Sequence, residues 1–395
     1  MNNNSLSGSR IGIDARFYGP LGKGLGRYTQ EIVDRVTTLD RKNYYVVFLS
    51  HKNFDEFVSE NPRVKKVLAD VHWYGLAEQI IMPRLIAQEK IDLMHFPHFN
   101  VPIFCPTKFV VTIHDLILTK FPTTRASTLG PVKYFLKNIA YRFVINRAIQ
   151  RSEKVIAVSH YTKDDIISQF NVDPKKIIMI YEGVAGLEDS TDKRYAAKLK
   201  SAEILSGYCI LEPYLLYVGN AYPHKNLEML VSVFLKLRKK FSDLKLVLVG
   251  RDDYFYLRLK EFAQKESSLK DFEAIIFPGY VPDEDLQTLF KHAALYVFPS
   301  KYEGFGLPPL EAMSYGCPVV SSNATCLPEI MENAAIYFNP HDEKKIVSVI
   351  QEILSDQFLR SELVKKGYEQ IKKYNWENAA HQTVTVYQGV LDDIS

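Results

Sequence analysis

Short runs of apolar residues alternate along this chain with longer stretches in which apolar residues recur every three or four positions. The runs have the length of buried strands, and the longer stretches have the spacing of helices that pack one face on a core. Uninterrupted apolar strands indicate a parallel sheet covered on both faces. The pattern therefore predicts an α/β protein.

The predicted strands fall into two series separated by a polar, charged stretch at 188–203. The first series is expected at residues 10–17, 44–50, 91–96, 108–113, 155–158 and 177–181. The second is expected at 214–218, 244–249, 274–277, 295–298 and 318–321. Strands that alternate with helices twice over predict two doubly wound, Rossmann-like domains that face a cleft. We place them at residues 1–205 and 206–374.

The most informative segment is SKYEGFGLPPLEAMSYGCPVVS at 300–321. Glu303 is predicted on a strand-to-helix loop and Glu311 about one turn inside the helix, which Gly316 ends. The backbone amides at a helix start bind anionic or polyhydroxyl ligands well. Here they belong to Gly304, Phe305, Gly306 and Leu307. The arrangement suggests a sugar-nucleotide pocket, and the alternative is an ordinary loop and helix with both glutamates solvated.

The same segment resembles a family motif. Two glutamates with seven residues between them, the sequence GFGLPPLEAM around the second and YGCPVV after it, resemble the donor site of retaining glycosyltransferases of family 4. Enzymes of that family have the GT-B fold. The resemblance implies that Glu303 holds sugar hydroxyls near the reacting carbon and that Glu311 holds the ribose hydroxyls.

A second candidate is His114, which the strand at 108–113 delivers with Asp115 to its carboxyl end, where open parallel sheets bind ligands. A histidine in such a place is more often a hydrogen-bonded structural residue. The segment VVTIHDLILTKFP, however, resembles the family segment whose histidine lies beside the transferred sugar. It implies that His114 contacts the sugar from the first domain when the cleft closes, while Asp115 orients the loop or the imidazole.

A glycine-rich turn follows the first strand, and its glycines would let backbone amides approach a phosphate. They are Gly19, Gly22, Gly24 and Gly26. Their spacing is not GxGxxG, which argues against an NAD-binding protein. IGIDAR followed by a GxGRYT-type segment resembles the opening of many family 4 enzymes, where this loop lies against the donor diphosphate and the acceptor. Gly22 and Gly24 are therefore expected at the donor.

The loop NAYPHKNLEMLV after residue 219 carries the expected phosphate ligands. By resemblance, Lys225 and Asn226 contact the donor diphosphate, and the lysine stabilises charge on the leaving group. The arginine that the family usually places early in this loop is absent, since Asn220 follows Gly219. His224 and Arg251 are candidates for the missing positive charge.

Composition agrees with a two-domain globular protein. The chain has 395 residues, of which 47% are hydrophobic and 24% charged. No apolar run approaches the roughly 18 residues that span a bilayer, and residues 1–9 lack the apolar core of a secretory signal. The four cysteines, which form no CxxC pair, suggest reduced thiols and a cytoplasmic protein. They are Cys105, Cys209, Cys317 and Cys326.

No essential metal or cofactor is expected. Residues 283–285, Asp-Glu-Asp, formally spell the DxD sequence of metal-dependent glycosyltransferases. Their context is a turn followed by a helix, where acidic residues favour the helix dipole. In family 4 this loop borders the nucleotide base instead.

Charge is divided unevenly along the chain. Residues 1–205 hold 29 lysines and arginines against 21 acids, a net +8, and the remainder has 20 against 25, a net −5. A predicted helix at 131–154 has a basic face, with Phe135, Ile139 and Phe143 on another side. This helix could bind an anionic membrane surface or could be a solvated helix that covers the sheet. The basic face comprises Lys133, Lys137, Arg147, Arg151 and Lys154.

The end of the chain, from YNWENAA onward, resembles the family's tail, in which a final helix crosses back to the first domain, and we assign residues 375–395 to that domain. The resemblance implies that the first domain binds the acceptor and that the second binds the nucleotide-sugar donor. IGIDAR, IHDL and PHKN resemble mannosyl- or rhamnosyltransferases of bacterial O-antigen and exopolysaccharide synthesis. The resemblance implies transfer of a hexose, preferably mannose from GDP-mannose, to a lipid-linked oligo- or polysaccharide. The protein would lie in the cytoplasm, peripherally at the inner membrane face, with no nucleic-acid partner. The alternatives are a UDP- or deoxyhexose-specific transferase such as a rhamnosyltransferase, a GT-B sugar-nucleotide epimerase, and a non-catalytic sugar-nucleotide-binding protein.

Overall fold

The computed structural model describes residues 8–20, 23–121, 131–184 and 194–393, and the chain divides into two compact units. Unit 1 consists of Met1–Gly183 together with Asn375–Ser395, and unit 2 of Val184–Tyr374. The sequence division at 205 and 206 differs from this one. The helix at Arg194–Gly207 packs on the helix at Asp283–His292, which places it in unit 2.

Unit 1 contains a seven-stranded sheet with helices between the strands. Its elements in chain order are β1 (Arg10–Asp14), α1 (Lys23–Leu39), β2 (Tyr44–Leu49), β3 (Val64–Leu68), α2 (Glu78–Gln88), β4 (Leu93–Phe96), β5 (Lys108–Ile113), α3 (Ile117–Lys120), α4 (Pro131–Arg151), β6 (Lys154–Ala157), α5 (His160–Phe170) and β7 (Ile177–Met179), with α15 (Trp376–Asp392) from the end of the chain.

The strands of unit 1 pair in the order β3-β2-β1-β4-β5-β6-β7, and every pairing is parallel. Central strands such as β1 and β5 are buried along all but their first residue, as expected for a parallel sheet that helices cover on both faces. The order reverses between β1 and β4. In open α/β sheets the ligand crevice lies at such a reversal, outside the carboxyl ends of the strands.

Unit 2 follows the same plan, with six parallel strands in the order β10-β9-β8-β11-β12-β13. Its elements are α6 (Arg194–Gly207), β8 (Tyr214–Val218), α7 (Leu227–Arg238), β9 (Lys245–Val249), α8 (Tyr254–Glu266), α9 (Leu269–Phe272), β10 (Ile275–Gly279), α10 (Asp283–His292), β11 (Leu295–Phe298), α11 (Leu307–Ser314), β12 (Val319–Ser322), α12 (Leu327–Met331), β13 (Ala335–Phe338), α13 (Glu343–Ser355) and α14 (Gln357–Ile371). Here the order reverses between β8 and β11. The expected fold class, two doubly wound Rossmann-like domains, is confirmed.

The last helix, α15, packs along α1 in unit 1. One face of α15 is buried, and within unit 1 the Tyr387 hydroxyl lies 2.6 Å from His95 Nδ1. His95 is fully buried on β4, and its Nε2 lies 2.9 Å from the Thr112 hydroxyl on β5. The end of the chain therefore completes the hydrogen bonding of the first sheet's core.

Helix α4 corrects one expectation. It ends at Arg151, so Lys154 lies on β6 instead of on the helix, and its ammonium group donates to the Lys175 carbonyl at 3.2 Å. The side chains of Lys133 and Lys137 lie outside what the structure describes. The helix covers the sheet through Tyr141, Ile145, Ala148 and Ile149, which belong to the core of unit 1.

The opposite side of α4 exposes three apolar side chains, Phe135, Ile139 and Phe143, to solvent by 63%, 50% and 54%. They stand four residues apart and so form one stripe along the helix. In the described part of the chain, no helix combines the length and apolar character that a membrane crossing needs.

Candidate active site

The loop that follows β11 carries the Glu303 side chain at the carboxyl edge of the second sheet. The Glu303 amide donates to the Thr325 hydroxyl at 3.0 Å, and the Cys326 thiol lies 3.3 Å from the carbonyls of Glu303 and Phe305. Gly306, at a φ of +97°, then turns the chain into α11, with Leu327 Cδ2 2.9 Å from where a β-carbon would be. These contacts hold the backbone of the Glu303 loop in place.

Lys225 and Glu303 form an ion pair, with 2.6 Å between Nζ and Oε1. Lys225 ends a short 3₁₀ turn after β8, and Glu303 follows β11, the neighbouring strand at the point where the strand order reverses. Both side chains are nearly buried, at 13% and 10% exposure. The structure thus brings together two predicted site residues that stand 78 positions apart.

Asn226 lies next to Lys225 in the left-handed region, at a φ of +62°. Its side-chain amide donates to the carbonyls of Pro299 and Pro340 at 3.2 and 2.9 Å. Those carbonyls belong to the segments after β11 and β13, so Asn226 fastens three loops together. Its geometry is that of a residue that positions Lys225, because its amide nitrogen is already used by the protein.

Helix α11 begins at Leu307 and places Glu311 one turn inside, as the sequence predicts. The Phe305 side chain is buried and packs edge-on against Tyr374, with 5.5 Å between ring centroids. The Phe305 side chain is therefore used in packing, which leaves its backbone amide as the group expected at the donor. Gly316, at a φ of +74°, ends the helix.

The two candidates for extra positive charge differ. His224 is buried, and burial followed by the charge of Lys225 lowers the pKa of its imidazole to about 3. It is neutral at pH 7, so the expectation that it adds positive charge is corrected. Arg251, after β9, is exposed, and its guanidinium lies 5.3 Å from the centroid of the Tyr280 ring. Arg251 remains the candidate cation.

In unit 1, His114 follows β5 and is held by acceptors at both ring nitrogens. Nδ1 lies 2.9 Å from Glu182 Oε1, and Nε2 lies 2.9 Å from the Pro97 carbonyl. Burial alone would lower the pKa of His114, but the hydrogen bond and charge of Glu182, with smaller effects of Pro97 and Asp115, raise it overall. Neither partner can donate a proton, so the geometry favours the imidazolium form.

Asp115 orients the loop, since its carboxylate accepts a hydrogen bond from the Ile117 amide at 3.0 Å at the start of α3. Glu182 was not singled out in the sequence, although it stands three residues beyond the end of β7 at the same edge of the sheet. The sequence feature that could have indicated Glu182 is an acidic residue just past a predicted strand end. Cys326 and Thr325, which support Glu303, gave no such signal because they act through the backbone.

The glycines after β1 differ in how closely other atoms approach them, and the expected donor contact of Gly22 and Gly24 stays a prediction. Gly22 lies outside the described residues. Gly24 is exposed inside α1, and a β-carbon there would meet nothing within 4 Å. The close approach occurs at Gly26, where a β-carbon would lie 2.1 Å from the Gly19 carbonyl oxygen.

Residues 283–285 form the first turn of α10. Asp285 accepts a hydrogen bond from the Tyr208 hydroxyl at 2.8 Å. Within the residues that the structure describes, no group of three or more histidine, cysteine, aspartate or glutamate side chains is arranged to hold a metal ion.

Comparison with known proteins matches both units to family models. The model for Glycosyltransferase Family 4 matches residues 22–185, and that for Glycosyl transferases group 1 matches residues 211–370. A curated relative, O-antigen chain mannosyltransferase RfbU of Salmonella typhimurium, is 31% identical over 297 residues, which are 75% of this chain and 73% of that protein. The chain belongs to glycosyltransferase family 4.

This family 4 glycosyltransferase is also similar to O-antigen chain mannosyltransferase B of Escherichia coli, with 28% identity over 92% of this chain and 96% of that protein. Among solved structures, a glycosyltransferase from Rickettsia africae superimposes with a TM-score of 0.70 at 17% identity, over 98% of this chain and 99% of that one. The structural likeness concerns the fold, which is GT-B.

Proposed function

We propose that this glycosyltransferase transfers mannose from GDP-mannose, with retention of anomeric configuration, to a lipid-linked oligo- or polysaccharide in bacterial O-antigen-type synthesis. The observation that carries the proposal is similarity to O-antigen mannosyltransferases over nearly the whole chain, at 92% coverage. The pairing of Lys225 with Glu303 at the strand-order reversal supports a donor site in unit 2.

In the proposed reaction the nucleoside diphosphate leaves with its negative charge, and Lys225 stabilises that charge. Glu303 binds hydroxyls of the sugar, Glu311 binds the ribose, and the amides at the start of α11 face the donor. His114 contacts the transferred sugar from unit 1. These roles predict that His114→Ala and Glu303→Ala each lower transfer by about two to four orders of magnitude. Near-normal turnover by either folded variant would contradict its role.

The test of donor and acceptor uses the purified chain with GDP-mannose, UDP-glucose, UDP-galactose and dTDP-rhamnose, each with and without lipid-linked acceptors from O-antigen-producing bacteria. Mass spectrometry follows donor and product, and NMR of the product gives the anomeric configuration. We expect GDP-mannose to be consumed with an α-linked product. Turnover of UDP-sugars or dTDP-rhamnose alone would overturn the donor proposal, and donor conversion that does not require acceptor would favour an epimerase.

The exposed stripe of α4 supports a second element of the proposal, docking on an anionic membrane. Phe135, Ile139 and Phe143 form an apolar surface that water does not favour, and Arg147 and Arg151 lie further along the same helix. The Arg147 guanidinium lies 6.0 Å from the centroid of the exposed Phe104 ring. A lipid-linked acceptor would be reached from such a surface.

Docking is tested by sedimentation with vesicles of phosphatidylglycerol and phosphatidylcholine. We expect the triple variant Phe135→Ser, Ile139→Ser, Phe143→Ser to lose most vesicle binding. The matched control is Phe358→Ser, since Phe358 is 74% exposed on α14 in unit 2. Equal binding by the triple variant and the control would overturn membrane docking and leave the transferase proposal intact.

A further inference from the structure

Five ring side chains form a continuous cluster at the carboxyl edge of the first sheet. Phe17 packs on Trp73 and on His98, with 4.5 and 5.5 Å between ring centroids. His98 contacts Phe99 at 4.0 Å and Tyr74 at 6.0 Å. We call Phe17, Trp73, Tyr74, His98 and Phe99 the aromatic platform.

The platform stands where the fold provides a ligand crevice. Phe17 follows β1 and His98 follows β4, the two strands between which the order of the first sheet reverses. Trp73 and Tyr74 come from the segment after β3. His114, after β5, is close enough that its charge contributes to the lowered pKa of His98. The platform therefore adjoins the proposed position of the transferred sugar within unit 1.

A buried ion network holds the three segments that carry these rings. Arg16, which is 1% exposed, donates to both oxygens of Asp14 and to Glu78. Glu78, fully buried, also accepts from the Tyr74 amide at 2.9 Å and from the Asn100 side chain at 2.6 Å. Buried charges are costly unless fully paired, and replacing them by apolar groups is often neutral or stabilising. A contribution to folding stability alone therefore does not explain this buried network. Its contacts instead hold the three ring-bearing segments in fixed positions.

The outer side of the platform faces solvent. Tyr74 is 54% exposed even though its backbone is held in the left-handed region at a φ of +65°, a strained conformation for a side-chain-bearing residue. Trp73 is half-buried. Large rings with an apolar face and a polar tip at an exposed site are typical of binding surfaces.

The charges and ring faces of the platform indicate which class of ligand it would bind. Burial, followed by the charge of His114, lowers the pKa of His98 to about 3, so its imidazole is neutral. The cation beneath the platform, Arg16, is buried and paired with two carboxylates. A phosphate would find little charge here. A sugar ring offers a face of C–H groups for the aromatic rings and hydroxyls for the indole N–H and the tyrosine hydroxyl.

We propose that the aromatic platform binds a sugar ring of the glycan acceptor, with Trp73 and Tyr74 as the stacking residues and Glu78 as the positioning residue beneath them. The proposal rests on the proposed function for its ligand, because only a transferase requires an acceptor glycan. It assigns acceptor binding to residues separate from those proposed to bind the donor.

The kinetic test uses the full chain with its donor and acceptor. Trp73→Ala and Tyr74→Ala should raise the KM for acceptor about tenfold, while the KM for donor and the slow acceptor-free hydrolysis of donor stay within twofold of wild type. Tyr74→Phe, which keeps the ring, should lie between these variants and wild type. Phe358→Ala serves as the exposed-ring control in unit 2. An unchanged acceptor KM in both alanine variants would overturn the proposal.

A binding test does not depend on turnover. The chain has two tryptophans, and Trp376 is 3% exposed, so ligand-induced changes in tryptophan emission should come from Trp73. The probes are methyl glycosides of mannose, rhamnose, galactose and N-acetylglucosamine, and octyl mannoside as a lipid-bearing counterpart. We expect at least one methyl glycoside to change the emission, with half-saturation at least fivefold higher in Tyr74→Ala.

The outcomes separate the two proposals. If no nucleotide sugar is turned over but methyl glycosides bind, the proposed function fails, and the platform stands as a sugar-binding surface whose ligand is not an acceptor. If transfer occurs and no methyl glycoside changes the emission of wild type, the platform is overturned. A response to octyl mannoside alone assigns the surface to a lipid chain and also overturns the sugar site. Melting temperatures of all variants, checked against wild type, identify any that fail to fold.

Discussion

At the scale of single residues, the pairing of Lys225 with Glu303 means that the cation proposed for the donor diphosphate is neutralised before substrate binds. A diphosphate carries more negative charge than one carboxylate and can take over the lysine. The glutamate is then released toward the sugar hydroxyls. The ion pair thus keeps both side chains in position in a nearly buried place where either charge alone would be costly.

This competition predicts an opposite effect of Glu303→Gln on binding and on catalysis. Without the carboxylate, Lys225 is free for the diphosphate, so GDP should bind about tenfold more tightly, corresponding to a charge-assisted hydrogen bond of about 1.5 kcal/mol. Transfer should fall at the same time because glutamine is a weaker acceptor for sugar hydroxyls. Calorimetric titration with GDP and the transfer assay measure the two effects.

Lys225→Met is the matched control and should lose most GDP affinity. Weaker GDP binding by Glu303→Gln than by wild type would show that the carboxylate supports diphosphate binding. That result would contradict a competition between Glu303 and the diphosphate for Lys225.

The pair of His114 and Glu182 predicts a pH-dependent stability. The pKa of His114 is raised in the folded protein, so the stabilisation is complete below the ordinary value of 6.5 and is lost as pH rises through the folded-state value. Glu182→Gln should therefore reduce the free energy of unfolding by about 1.5–3 kcal/mol near pH 5.5 and by less near pH 9. Urea unfolding at the two pH values measures the difference.

Other titratable groups near His114 interact with its charge. Asp115 also raises the pKa of His114, and His95 and His98 feel the charge of its imidazolium. A double variant, His114→Gln with Glu182→Gln, removes the pair and should show no further pH dependence from it. A Glu182→Gln effect of the same size at both pH values would mean that His114 is neutral in the folded protein.

At the scale of elements, two glycines of α1 have different surroundings, so their substitutions can distinguish a glycine required for packing from one available to a ligand. A β-carbon at Gly26 would lie 2.1 Å from the Gly19 carbonyl oxygen and 2.7 Å from that of Phe17, while one at Gly24 would meet nothing within 4 Å. Gly26→Ala should therefore destabilise the protein by at least about 2 kcal/mol, and Gly24→Ala should stabilise it by up to about 1 kcal/mol. Thermal and urea unfolding of both variants measure this contrast.

The same pair tests the expected donor contact of the turn. If the diphosphate approaches the Gly24 backbone, Gly24→Ala should raise the KM for donor although the protein is more stable. An unchanged donor KM would assign the turn to packing alone.

The strands show which elements a sequence reveals. Fully covered strands such as β5 and β8 were predicted with the observed bounds because both faces are apolar. The edge strand β3, VKKVL, was not predicted because water-facing lysines interrupt its apolar pattern. The strand β13, AIYF, was also not predicted, and it is an edge strand of the second sheet. Edge strands carry the weakest pattern since one side lacks a neighbour.

The candidate site shows a similar limit. Glu303, Lys225 and His114 stand at strand ends in recognisable local sequences, so their positions at the carboxyl edges could be predicted. Their partners could not all be predicted, because Glu182 lies 68 residues from His114 and is brought to it by the pairing of strands. The ion network of Arg16 and Glu78 was missed for the same reason, since these residues are 62 positions apart.

At the scale of the whole molecule, each unit closes its own core, and unit 1 needs the end of the chain to do so. Helix α15 buries seven side chains, including Trp376, Ala380 and Tyr387, on unit 1. Burying one large apolar side chain contributes about 1.5–3 kcal/mol, and the net stability of a domain is only about 5–15 kcal/mol. The loss of α15 is therefore comparable with the entire stability of unit 1.

Removal of residues 375–395 should accordingly unfold unit 1 and spare unit 2. In differential scanning calorimetry the truncated chain should keep one transition, which GDP still raises because the proposed donor residues of unit 2 remain. Limited proteolysis should degrade unit 1 and leave a fragment near residues 184–374. Tyr387→Phe is the control, since it removes only the hydrogen bond to His95 and should cost about 1 kcal/mol without loss of either transition. Two unchanged transitions in the truncated chain would show that unit 1 folds without its last helix.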